Sequence, residues 1–149
     1  MKIEEGDLWD RLEHGYIVIP TNIGWKSDGC NVMGRGLAKE AADRFPGVAL
    51  WYGAQCLRLG AQTHVMEYPH SRLILFPVKP LNEAQPWLSW RNKADLALIE
   101  RSAWQLSEWP GNTPIYIPMV GCGNGRQDVK VVLPLLERHL SSERFILVL

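Results

Sequence analysis

Apolar residues fall into two rhythms along the chain. Short unbroken runs, Tyr16 to Pro20, Leu73 to Val78, Ile115 to Val120 and Phe145 to Leu149, read as strands buried on both faces. Between them, apolar positions recur every three or four residues, the period of a helix with one buried face. Leu37, Ala38, Ala41, Ala42 and Phe45 form such a face in a helix that opens after Gly36 and stops at Pro46-Gly47. A second helix is predicted from the capping candidate Ser89, with Leu96, Ile99, Ala103 and Leu106 as its stripe, ending before Pro110-Gly111. A third follows Asp128 through Val129, Val132, Leu133, Leu136 and Leu140, with Pro134 delaying its start or bending its first turns. Alternating strands and helices predict an α/β fold with a mostly parallel central sheet, helices on both faces, and a ligand crevice beyond the carboxyl ends of the strands.

Composition narrows the function classes. The chain has 149 residues, 46% hydrophobic, with 16 Lys+Arg against 16 Asp+Glu. That length is one domain's worth, and no repeat or linker-like tract divides it, so a single domain over residues 1–149 is expected. Zero net charge removes the field that drives non-specific nucleic-acid or anionic-membrane binding. Leu73 to Val78 is far shorter than the roughly 20 residues of a membrane helix, and the N-terminus has no signal-like apolar region; a cytoplasmic protein is expected. Cys30, Cys56 and Cys122 are an odd number at long spacings, which predicts reduced thiols, and the four His show no metal-ligand spacing, so no metal is expected. The seven Trp are scattered rather than interleaved with basic residues, and read as core or rim packing. Arg91 to Lys93, with Arg101, read as the solvated face of a helix.

Two loops are candidates for chemistry. After the strand ending at Pro20 come Thr21-Asn22, the segment Ile23 to Cys30, and then Asn31-Val32-Met33-Gly34-Arg35-Gly36, which runs into a helix. A strand, a glycine-rich loop and a helix N-terminus make a phosphate-binding arrangement, because glycine lets the backbone approach an anion and free amides point at it. The loop has neither a third glycine for a dinucleotide fingerprint nor Gly-Lys-Ser/Thr for a Walker A loop, and alone it is equally a flexible turn. A second loop, Gly121-Cys122-Gly123-Asn124-Gly125-Arg126, also lies between a strand and a helix. Two such loops can grip a diphosphate from opposite sides, with Arg126 adding charge or standing free in solvent.

These residues resemble the macrodomains, which bind ADP-ribose. The resemblance covers nearly the whole chain and rests on Gly6-Asp7-Leu8, on Thr21-Asn22, on Val32-Met33-Gly34-Arg35-Gly36-Leu37-Ala38 and on Gly121-Cys122-Gly123. It implies a three-layer α/β/α domain with a mixed, mostly parallel sheet. Met-Gly-Arg-Gly-Leu-Ala with Gly-Cys-Gly looks most like the branch holding the terminal ADP-ribose protein glycohydrolase, the ADP-ribose 1″-phosphate phosphatases and the antitoxins that strip ADP-ribose from DNA.

Asp7 matches the aspartate that takes a hydrogen bond from the adenine amino group, with Leu8 beside it; as a bare residue Asp7 is also an N-cap for the turn Leu8 to Arg11. Asn22 matches the asparagine on the distal ribose, although an Asn after a strand is commonly a turn residue. The segments Asn31 to Leu37 and Gly121 to Arg126 match the two diphosphate loops. Lys79, in Phe76-Pro77-Val78-Lys79, resembles the active-site lysine of the glycohydrolase and antitoxin branch, whose amine attacks C1″ of the distal ribose; by itself it is also an ordinary lysine where a strand meets solvent.

One position departs from the pattern. Where the protein glycohydrolase has an aspartate, this chain has Gly125, and the nearest acid in the loop is Asp128. The segment Ile23 to Cys30 is longer than in many macrodomains, so that Trp25, Lys26 or Asp28 reaches over the ligand or the segment decorates the surface. Cys122 has no base placed beside it by the sequence and reads as packing. The resemblance implies an ADP-ribosyl hydrolase or an ADP-ribose 1″-phosphate phosphatase, with Lys79 and Asn22 catalytic, or else a non-catalytic ADP-ribose reader. The expected partner is ADP-ribose or an ADP-ribosylated substrate, nucleic acid only if that group is on DNA; no cofactor, no membrane and a monomer are expected.

Overall fold

The computed structural model describes residues 1–149. Its strands are β1 (Lys2–Glu4), β2 (Tyr16–Asn22), β3 (Met66–Tyr68), β4 (Leu73–Lys79), β5 (Ile115–Ile117) and β6 (Phe145–Val148); its helices are α1 (Gly36–Arg44), α2 (Val48–Leu59), α3 (Leu96–Ser107) and α4 (Val129–His139). One six-stranded sheet runs in the order β1-β6-β5-β2-β4-β3. Every pairing is parallel except β3 on β4, so the sheet is mixed and mostly parallel as expected.

The strands show why they carry no polar alternation. Along β4, Ile74, Phe76 and Val78 pack with Ile99, Ala103 and Leu106 of α3 and Val132 and Leu136 of α4, whereas Leu73 and Leu75 pack with Ala41 of α1 and Val48, Tyr52 and Cys56 of α2. Successive side chains enter opposite cores, so both faces need apolar residues. The result is a three-layer α/β/α sandwich, α1 and α2 on one face and α3 and α4 on the other.

Three expectations change. Ser89 does not open a helix; it lies in a 3₁₀ turn, Pro86–Arg91, where its buried hydroxyl donates to the Pro86 carbonyl and accepts from the Asn82 amide. The second predicted helix, α3, starts at Leu96 under Asp95, whose carboxylate accepts from the amides of Ala97 and Leu98. Pro134 neither delays nor displaces α4, which begins at Val129 under the cap Asp128; Pro134 sits on its exposed side, where solvent can satisfy the carbonyl it leaves unbonded. The helix α2 and the strand β3 had no counterpart in the pattern, and β5 ends at Ile117 rather than Val120.

Candidate functional site

The carboxyl ends of the central strands carry residues unlike those of their middles. Pro20, Thr21 and Asn22 end β2, Val78 and Lys79 end β4, and Pro118 and Met119 follow β5; together they floor a cavity of about 890 Å³. Its two sides are the glycine segments. Gly34, Arg35, Gly36, Leu37 and Ala38 come from the entrance to α1, and Gly121, Gly123, Asn124, Gly125 and Arg126 from the loop after β5. A Cβ added at Gly36 would stand 3.3 Å from the Asn124 side-chain nitrogen, so the two loops approach each other across the site.

Each loop is built to present backbone. The N-cap of α1 is Arg35, whose side chain makes no capping bond, and the first turn holds no acid, so its amides keep their positive end for a ligand. Gly36 has φ +56° and Gly121 φ +75°, left-handed conformations that favour glycine. Gly34 and Gly123 have nothing within 4 Å of a Cβ position, leaving their backbones open to the cavity. Gly125 is the opposite: a Cβ there would lie 2.5 Å from the Gly121 oxygen and 2.8 Å from Ala94 Cβ. The position at which the glycohydrolase pattern has an aspartate is closed to any side chain by its own loop.

Asn22 and Lys79 are partners in the register of β2 and β4, where a bulge between Thr21 and Asn22 lets β4 skip Val78. The bulge pairs Lys79 with Asn22 in register, and both line the cavity. Asn22 is held on both ends: its Nδ2 donates to the Val32 carbonyl at 2.8 Å, and its Oδ1 accepts from the Gly24 amide at 2.9 Å and Asn31 Nδ2 at 3.0 Å. One Nδ2 hydrogen stays uncommitted for a hydroxyl or carbonyl. Lys79 Nζ donates to the Trp90 carbonyl at 2.8 Å. Burial pushes its pKa below the usual lysine value, and the positive charges of Arg126 and Arg35 push the same way.

Charge in the cavity is one-sided. Arg35, Lys79, Arg91 and Arg126 line it, and no Asp or Glu does, although the whole chain is neutral. Such a site attracts anions and disfavours the charged form of an amine.

Several expected site residues do not line this cavity. Asp7 is exposed at the end of β1 and caps the 3₁₀ turn Leu8–Arg11 by accepting from the Trp9 amide at 2.9 Å; it does not line the cavity. Leu8 and Met33 are buried in the core under α1 and α2. Asn31 is buried as well, a brace whose Nδ2 also reaches the Gly24 carbonyl. Cys122 turns its Sγ to the Val120 carbonyl and packs on the core; burial raises its thiol pKa, so it is no ready nucleophile.

The segment Ile23 to Cys30 does not cover the cavity: Trp25, Lys26 and Asp28 are absent from its lining. It is wedged instead, since a Cβ at Gly24 would meet the Pro86 carbonyl oxygen at 2.0 Å, and one at Gly53 of α2 would meet the Gly29 oxygen at 1.9 Å. Trp90 and Arg91, read from the pattern as packing and as a solvated helix face, line the site. No group of three or more His, Cys, Asp or Glu side chains converges as a metal site, and no helix is long and apolar enough to cross a membrane.

No family model and no curated protein matches the chain. Solved structures do. The structure is similar to the macrodomain of Thermus aquaticus DarG (TM-score 0.75, 22% identity, 99% of this chain and 95% of that one) and to the macrodomain of Mycobacterium tuberculosis DarG (TM-score 0.71, 24% identity, again 99% and 95%). It is also similar to Thermosipho africanus DarTG in complex with ADP-ribose (TM-score 0.75, 20% identity), covering 99% of this chain but only 41% of that longer one. The chain therefore has the macrodomain fold.

Proposed function

We propose that the protein binds ADP-ribose in this cavity and hydrolyses the bond that joins an ADP-ribosyl group to its acceptor. The two glycine segments and the amino end of α1 hold the diphosphate, and Asn22 holds the distal ribose. Lys79 in its neutral form attacks C1″; the bond from C1″ to the acceptor breaks, and the acceptor leaves with the electron pair and takes up a proton. Water then hydrolyses the adduct, giving ADP-ribose and the free amine. The acceptor is a protein side chain, a DNA base, or the phosphate of ADP-ribose 1″-phosphate.

The observation that carries this reading is Lys79 itself, beside Asn22 on the cavity floor, its pKa lowered by burial among arginines. The ADP-ribose in the similar Thermosipho complex supports the ligand. One observation favours a second reading, a reader that binds without turnover: no lining residue is a carboxylate that could activate water. Incubating the protein and Lys79→Ala with ADP-ribosylated protein, ADP-ribosylated DNA and ADP-ribose 1″-phosphate decides between them. Release of product by wild type alone, with ADP-ribose still bound by the variant, supports the enzyme. No release from any of the three supports the reader.

A further inference from the structure

The 3₁₀ turn Pro86–Arg91 belongs to neither glycine loop, yet the carbonyls of its last two residues hold two of the cations that line the cavity. The Trp90 carbonyl accepts from Lys79 Nζ at 2.8 Å, and the Arg91 carbonyl accepts from an Arg126 guanidinium nitrogen at 3.1 Å. Arg126 reaches it from a left-handed backbone, φ +62°, an uncommon conformation for a side chain of that size. The Trp90 ring has the Arg35 guanidinium 5.6 Å and the Arg91 guanidinium 5.3 Å from its centre, close enough for cation–π attraction. The turn is fixed from behind by Ser89, buried between Pro86 and Asn82, and by the close approach of Gly24.

We propose that this turn positions Lys79 for reaction and that Trp90 is its positioning residue: the ring ties the turn to Arg35 of the first glycine segment, and the carbonyls at its end aim the Lys79 amine and the Arg126 guanidinium. The inference rests on the proposed function for the role of Lys79, but its geometry does not. Helix-like turns end in unsatisfied carbonyls, and here those carbonyls are spent on cations that repel one another. Without the anchor, the repulsion among Arg35, Lys79, Arg91 and Arg126 and the pull of water would draw the amine out of place. No carboxylate lines the cavity to oppose this, and Asp95 and Asp128 are engaged as caps of α3 and α4. Burial and the charges of Arg126 and Arg35 disfavour the charged amine, so an amine released from the carbonyl into water regains its ordinary pKa.

The test compares wild type, Trp90→Ala and Trp90→Phe in the full chain. The first readout needs no substrate: the pH dependence of Lys79 acetylation by dilute acetic anhydride, read by peptide mass spectrometry with the other lysines as references. Trp90→Ala is expected to move the Lys79 midpoint upward, and Trp90→Phe to restore it. The second readout is turnover at saturating substrate, where Trp90→Ala is expected to lower kcat about tenfold or more through misplacement of the amine, while any loosening of Arg35 and Arg126 shows separately as weaker ADP-ribose binding. If Trp90→Ala does not fold, Trp90→Leu, which keeps bulk but no ring, takes its place against Trp90→Phe. An unchanged Lys79 profile in a folded ring-less variant overturns the inference. A shifted profile with no turnover by wild type on any substrate upholds the positioning and removes the hydrolase reading instead.

Discussion

Placing an aspartate at position 125 would copy the glycohydrolase pattern, and the structure predicts that it harms the protein instead. A Cβ there comes within 2.5 Å of the Gly121 carbonyl oxygen and 2.8 Å of Ala94 Cβ, a backbone atom and a buried methyl that have no room to move aside. Both carbonyls of the turn are in use: Gly121 O accepts from the Gln127 amide and Gly125 O from the Ala94 amide, each at 2.9 Å. Overpacking of this kind costs about 1–3 kcal/mol. For a chain of this size that is a fall in Tm of about 2–12 °C, at roughly 2–4 °C per kcal/mol. The second glycine loop must also open, so ADP-ribose affinity falls with stability. Gly123→Ala is the control, because nothing lies within 4 Å of its Cβ; its stability should stay within about 0.5 kcal/mol of wild type. Thermal unfolding and calorimetric titration of Gly125→Asp, Gly125→Ala and Gly123→Ala read both effects. A Gly125→Asp protein with wild-type Tm and undiminished binding would refute the steric argument.

Four further outcomes follow from named contacts. The folded Lys79 pKa lies below its unfolded value, so its charge destabilises the fold at neutral pH, and stability rises as pH climbs from the folded pKa towards the ordinary lysine value; Lys79→Met should therefore raise Tm more at pH 7 than at pH 10 in paired melts. Arg126→Ala and Arg35→Ala each remove a cation facing the proposed diphosphate and should weaken ADP-ribose binding about tenfold or more by calorimetry, with a smaller salt dependence than wild type. Tyr52→Phe strips the hydroxyl bonded at 2.8 Å to Thr21 in the buried layer beneath the cavity, and should cost about 1–3 kcal/mol in denaturant unfolding. Asp128→Ala removes the cap of α4 and should cost about 1 kcal/mol in the same assay.

The central strands and the two glycine loops were legible because their signals are local: unbroken apolar runs for strands buried on both faces, and glycine between a strand and a helix. The helix α2 was not. Its buried positions Val48, Tyr52 and Cys56 are properly spaced, but Leu50 and Leu57 stay exposed on its other side, so the segment shows no polar face, and Pro46-Gly47 reads as a stop although it also precedes a start. The strand β3 has three residues, all half-buried, too few for any period. Whether Lys79 pairs with Asn22 depends on the extra residue Val78 in β4, and a one-residue slip in register carries no mark in the sequence. Trp90 and Arg91 were hidden by a plausible cap at Ser89, whose hydroxyl serves a 3₁₀ turn instead. Asp7 was read both as a ligand residue and as an N-cap, and its carboxylate caps the turn Leu8–Arg11 here.

The account stands on one cavity that binds ADP-ribose. Calorimetric titration of the purified protein with ADP-ribose, beside AMP and NAD, tests that directly. Micromolar binding, worth about 8 kcal/mol, that AMP and NAD do not match is the predicted result. No heat with ADP-ribose, together with no thermal stabilisation at millimolar ligand, would contradict it and leave the macrodomain fold without the ligand proposed for it.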